Sequence, residues 1–150
     1  MTKPDILDES LELQPTAEQN QAIHRAVWNL PKPALYSGWK ITPLTREKLL
    51  RIFPPLHPKT VAHHVTFQFG PDAIEPVPAQ LAVCGHAFSS EVEALVVAVD
   101  GSVRRPDGGT FHVTWSLAPG VRPVQSNDLL ACGWEEISPL QFNATPFVKR

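Results

Sequence analysis

The sequence predicts an α+β fold of mainly antiparallel sheet, arranged in two lobes related by an approximate two-fold axis. Three observations predict it. Short alternating or β-branched segments outnumber amphipathic helical ones, and the helical ones come first. The 16 prolines fall almost entirely between these segments and punctuate them. The chain also repeats itself. Displaced by 48 positions, His64-Val65-Thr66 falls on His112-Val113-Thr114, Pro71 on Pro119, Leu81 on Leu129 and Cys84-Gly85 on Cys132-Gly133. Seven identities over the 22 positions from His64 to Gly85 exceed the roughly one or two that residue usage gives by chance.

Element by element, residues 1–15 read as an acidic arm. Thr16 with Gln19 forms a capping box, and Ala22, Ile23, Ala26, Val27 and Leu30 recur at helical spacing, so a helix is predicted over about Ala17–Asn29, stopped by Pro31 and Pro33. Residues 34–41 read as a strand. Thr45 caps a short helix through Leu49, Leu50 and Phe53, ended by Pro54-Pro55. Further strands are predicted over His63–Phe69, Gln80–Phe88, Glu93–Val99, Phe111–Leu117 and Leu129–Ile137, with an exposed glycine-rich loop over Asp100–Gly109. The chain thus divides into an arm and helix (1–33) and a domain (34–150) with lobes at about 34–88 and 89–150.

The composition limits the function classes. An apolar fraction of 43% suits a globular core, and no apolar run is long enough to cross a bilayer. The acidic N-terminus lacks a signal-peptide segment, which points to the cytoplasm and makes Cys84 and Cys132 free thiols, small and buried on matching strands. Thirteen Lys and Arg against fifteen Asp and Glu give a net charge of −2, which argues against an extended nucleic-acid surface and for a small phosphorylated ligand or an RNA end.

Side chains alternate across a strand, so His64 and Thr66 share one face while Val65 and Phe67 share the other, and His112 and Thr114 oppose Val113 and Trp115 in the same way. If each apolar pair anchors its lobe, two imidazoles and two hydroxyls converge in the cleft between the lobes. That set suits phosphodiester hydrolysis. Imidazole titrates near neutrality, so one neutral and one protonated ring can serve as base and acid, with the threonines as further donors. Which histidine takes which role is open, and the chemistry requires no metal or other cofactor.

His-Val-Thr-Phe and His-Val-Thr-Trp resemble the paired His-apolar-Thr/Ser-apolar motifs of the two-histidine (2H) phosphoesterase superfamily, which includes 2′-5′ RNA ligase-like proteins and the cyclic phosphodiesterase domains of tRNA-splicing enzymes. The resemblance covers Tyr36 to about Ile137. The run from His112 to Leu129, with Pro119-Gly-Val and Pro123…Ser126-Asn127-Asp128, resembles the segment after the second motif in the tRNA-ligase-like branch. It implies a bilobal α+β fold and hydrolysis of 2′,3′-cyclic phosphates or related 2′-linked or cyclic nucleotide bonds; the protein is expected to be a monomer. The 48-residue interval between motifs implies a trimmed second lobe.

Around this core, Arg104 and Arg105 can clamp a phosphate or a base, or lie on plain surface. Tyr36 and Trp39 can stack a base, or Trp39 can pack in the core. Ser126 and Asn127 line the cleft or shape a turn. His63 is placed on the opposite strand face, and His24, His57 and His86 are structural. Two other functions compete: a non-catalytic module that binds RNA ends or cyclic nucleotides, and a metal site of His63, His64 and His112. Strand alternation counts against the latter.

Overall fold

The computed structural model describes residues 32–150, so the helix expected over Ala17–Asn29 lies outside the described residues. Within this compact unit the order is β1 (Tyr36–Ile41), α1 (Pro43–Ile52), β2 (Lys59–Thr60), β3 (His64–Phe69), β4 (Leu81–Phe88), β5 (Val92–Val99), β6 (His112–Leu117), α2 (Gln125–Ala131), β7 (Glu135–Phe142) and β8 (Ala144–Lys149). The class is α+β and sheet-rich, with every strand pairing antiparallel. No described helix is long and apolar enough to cross a membrane.

Three strands form one sheet in the order β3-β1-β8, and five form the other in the order β2-β6-β5-β4-β7. The sheets do not divide the chain at residue 88: β4 joins the five-stranded sheet, and the C-terminal β8 returns to the three-stranded one. The main core gathers Trp39, Ile41 and Val65 from the small sheet, Leu49 from α1, and Leu81, Val83, Leu95, Val97, Val113 and Trp115 from the large one. A second cluster packs Ala94 and Val96 of β5 against Leu130 of α2. β5 is therefore covered on both faces, which explains its unbroken apolar run, Ala94-Leu-Val-Val-Ala98.

Three expectations need correction. Thr45 lies inside α1; the N-cap is Thr42, with Pro43 at the first helical position, where its missing N–H costs nothing. Leu129–Ala131 is helix, and the last part of the repeat therefore diverges. Cys84-Gly85 sits on β4, while Cys132 caps α2 and Gly133, at φ +106°, supplies the left-handed residue that ends it. Cys132 is thus exposed and off any strand, although both thiols are free. The strand expected over Leu129–Ile137 starts only at Glu135, and β8 had no counterpart in the sequence reading.

The sheets meet where the chain leaves one for the other. Val61 and Ala62 donate backbone hydrogen bonds to Trp115 and Thr114 of β6, and one residue later the His63 carbonyl accepts from Ile41 of β1. Ala62 makes that switch at φ 44°, a left-handed conformation unusual for a residue with a Cβ, and it is fully buried. The Arg46 guanidinium of α1 holds its carbonyl at 2.9 Å.

Candidate active site

The two histidine motifs line one cavity of about 280 Å³. His64 and Thr66 come from β3 of the small sheet; His112 and Thr114 come from β6 of the large one. The alternation read from the sequence holds: Val65, Val113 and Trp115 are fully buried behind them. Tyr36 on β1, Val61 at the crossover, Phe69 on β3, and Pro123, Val124 and Asn127 around α2 complete the wall.

Each motif carries a register slip directly after its threonine. Against β1, Gly38 faces Thr66 but Ser37 faces Gln68, so Phe67 is the extra residue. Against β5, Ala94 faces Thr114 but Glu93 faces Ser116, so Trp115 is the extra residue. A slip of this kind reverses which face the next side chain takes. In β3 it brings Phe69 onto the cavity side, opposite Tyr36. In β6 it turns Ser116 away from the cavity, where its hydroxyl donates to the buried Glu93 at 2.7 Å. Simple alternation places Phe69 with the core, which is why the sequence reading missed it.

Nε2 of His64 lies 3.0 Å from the Thr66 hydroxyl, and its Nδ1 lies 2.9 Å from Nδ1 of His63. The Tyr36 ring stacks on it at 4.8 Å and 20°, and Phe147 of β8 meets it edge-on. His112 donates from Nδ1 to the Thr110 carbonyl at 2.7 Å, which fixes the tautomer and leaves Nε2 free. The hydroxyls of Thr114 and Ser126 share a 2.9 Å hydrogen bond.

Burial pushes the His64 imidazole down to about 4, helped by its neighbours His63 and His112. His112 is also lowered, first by burial and further by Arg105, while the Thr110 carbonyl and Asp107 oppose the shift. The mixed protonation expected near neutrality is therefore not the resting condition: at pH 7 both rings are held mainly neutral. Burial likewise raises the Tyr36 phenol, which stays protonated.

Other residues proposed from the sequence fall elsewhere. Trp39 is core, its indole donating to the Val77 carbonyl at 3.0 Å, so it offers no face to a ligand. Arg104 is exposed and outside the cavity wall. Arg105 is 5% exposed and directed inward: Nε donates to Asp107 at 2.9 Å, Nη2 points to Asn127 at 3.4 Å, and its guanidinium lies 5.1 Å from the Phe69 ring centre. It is not among the residues that line the cavity, but it contacts two that are, Phe69 and Asn127. Ser126 is fully buried and acts through Thr114. His63 does not sit on the opposite face; it lies before the first paired residue of β3 and turns its ring to His64. Among the described residues no three His, Cys, Asp or Glu side chains are grouped to hold a metal ion.

Comparison with family models, with curated proteins and with solved structures gives no match.

Proposed function

We propose that this cavity is the active site of a phosphodiesterase that hydrolyses 2′,3′-cyclic phosphates, or related 2′-linked or cyclic nucleotide bonds, with His64 and His112 as its acid–base pair. One observation carries the reading: two His-Val-Thr segments on different sheets deliver both imidazoles and both hydroxyls to a single small cavity. A fold has no need to repeat that polar set. The equivalent register slips at Phe67 and Trp115 support descent of both segments from one duplicated unit, and so the two-lobed, pseudo-two-fold arrangement.

The chemistry balances without a cofactor. One histidine, neutral, takes a proton from water as the water oxygen attacks phosphorus. The bond from phosphorus to the leaving sugar oxygen breaks, and the other histidine, protonated, gives its proton to that oxygen. One water is consumed and a phosphomonoester is formed. Since both rings rest neutral, the acid's proton must enter with the anionic substrate, whose charge favours an imidazolium beside it. The Thr114 hydroxyl, which shares a hydrogen bond with Ser126, can turn its hydrogen to a phosphoryl oxygen, and the Thr66 hydroxyl can do so when it releases His64 Nε2. The apolar wall of Tyr36, Val61, Phe69, Pro123 and Val124 suits a flat, weakly polar group such as a base, and Tyr36 and Phe69 supply aromatic faces for it.

The neutral resting state also favours a second reading, a module that binds the same ligands without turnover. Incubation in chelator with 2′,3′-cyclic mononucleotides, 2′-5′ dinucleotides and cyclic dinucleotides, with product identification, separates the two. Hydrolysis of one class, reduced on the order of 10²–10⁴-fold by His64→Ala and by His112→Ala, is expected. The double variant should lose little more than either single one. Near-wild-type turnover in a folded single variant would end the two-histidine reading, and saturable binding without turnover would favour the module.

A further inference from the structure

His63 has no part in the chemistry above, yet it supplies the second hydrogen bond of His64. The two rings meet edge to face at 5.1 Å and 83°, and Phe147 packs edge-on against both. His63 escapes strand alternation because it follows directly on the left-handed Ala62, so its side chain is free to turn towards its neighbour. Both ring nitrogens of His64 are thereby engaged: Nδ1 with His63, and Nε2 with Thr66.

The two motif histidines differ in what faces Nδ1. For His112 it is a carbonyl, which only accepts, and whose dipole favours an imidazolium. For His64 it is a second imidazole. The short Nδ1–Nδ1 bond has room for one hydrogen, so the pair cannot be protonated on both rings without breaking it. Positive charge reaches His63 from Lys40 of β1, Arg46 of α1 and Lys149 of β8, while His112 of β6 faces His64 across the cavity. Near His112 stand Arg105, which disfavours its protonation, and Asp107, which favours it. The first proton brought in with an anion is thus better placed on His112 than on His64.

We propose that His63 is the positioning residue of His64: by accepting the hydrogen bond from His64 Nδ1–H, it keeps His64 Nε2 unprotonated, an acceptor towards Thr66 and the cavity, and so fixes His64 as the base and His112 as the acid. The proposal rests on reading the cavity as an active site. In the reaction the Thr66 hydroxyl turns from His64 Nε2 to the substrate, and Nε2 receives the proton from water while the Nδ1 hydrogen stays in the bond to His63. His112 Nε2 loses its proton to the leaving oxygen.

Two variants of the full chain test it. His63→Asn keeps an acceptor oxygen for the Nδ1 hydrogen; His63→Leu removes it. Nitrogen-15 NMR of the ring of His64 reads its tautomer without any substrate. Wild type and His63→Asn should hold the hydrogen on Nδ1, and His63→Leu should shift it towards Nε2. In parallel, kcat of His63→Leu should fall on the order of 10²-fold with KM little changed, as for a base held in the wrong tautomer, and Asn should restore most of it. Circular dichroism checks folding, which an exposed position should not disturb. A wild-type His64 carrying its hydrogen on Nε2, or an unchanged tautomer and kcat in His63→Leu, overturns the positioning role. Absence of hydrolysis by the wild type overturns the active-site reading and the base assignment with it, while the tautomer still reports whether His63 orients His64.

Discussion

His64 and His112 carry the same side chain in the same tripeptide, but their surroundings treat a proton differently, and pH should reveal it. The acid must be protonated, and both rings are lowered from the ordinary 6.5. Its protonated fraction in the free protein therefore grows as pH falls below that value, until His64 itself charges near 4 and the base is lost. kcat/KM should accordingly trace a bell with its maximum on the acid side of 6.5, and a maximum above pH 7.5 would contradict the pairing. The same shift bears on stability. A histidine with a depressed folded-state value contributes fully above the unfolded value, near 6.5, and loses that contribution as pH falls towards about 4. The loss for His64 is up to about 3 kcal/mol at 1.36 kcal/mol per pH unit. Denaturant unfolding at pH 7 and pH 4 should show a smaller drop for His64→Gln than for wild type, since carboxylates contribute equally to both.

At the scale of elements, the site depends on how closely β1 and β3 approach. A side chain at Gly38 would collide with the carbonyl of Val65, between the residues that carry His64 and Thr66. Gly38→Ala should cost about 1–3 kcal/mol by overpacking, measured by chemical denaturation, and should lower turnover by displacing β3. The elements also mark where sequence patterns can be trusted. β3, β4, β5 and β6 were legible because alternation or continuous burial imposes a period on their residues. β8 was not, because Pro146 argues against a strand; it survives because β8 pairs only with β1, at the edge of its sheet. β7 carries Pro139 at an edge for the same reason. The Cys-Gly dipeptide was misleading in the opposite direction. On β4 it continues a strand and after α2 it stops a helix, because glycine serves a close approach as readily as a left-handed turn.

Across the whole molecule, a buried carboxylate ties distant segments together on the side of β5 away from α2. Glu93, 1% exposed, accepts from Ser116 at 2.7 Å and from the Leu56 amide at 3.0 Å, and its other oxygen lies 2.8 Å from His86 Nε2. Glu93→Ala strips three polar partners at once and should cost about 3 kcal/mol or more, read as a lower denaturation midpoint. None of these three partners lines the cavity, so turnover per folded molecule should hold. The sequence by itself determined the sheet-rich α+β class, the inward and outward faces of the two histidine strands, and four of the polar groups at the cavity, because these follow from local period and residue chemistry. Only the tertiary structure decided that Trp39 is core, that Arg105 packs on Phe69 and Asn127 of the wall, that Phe69 joins the cavity and that His63 meets His64. Each of those outcomes depends on a register slip, a left-handed turn or packing between elements far apart in the chain, and none of these leaves a periodic trace in the order of the residues.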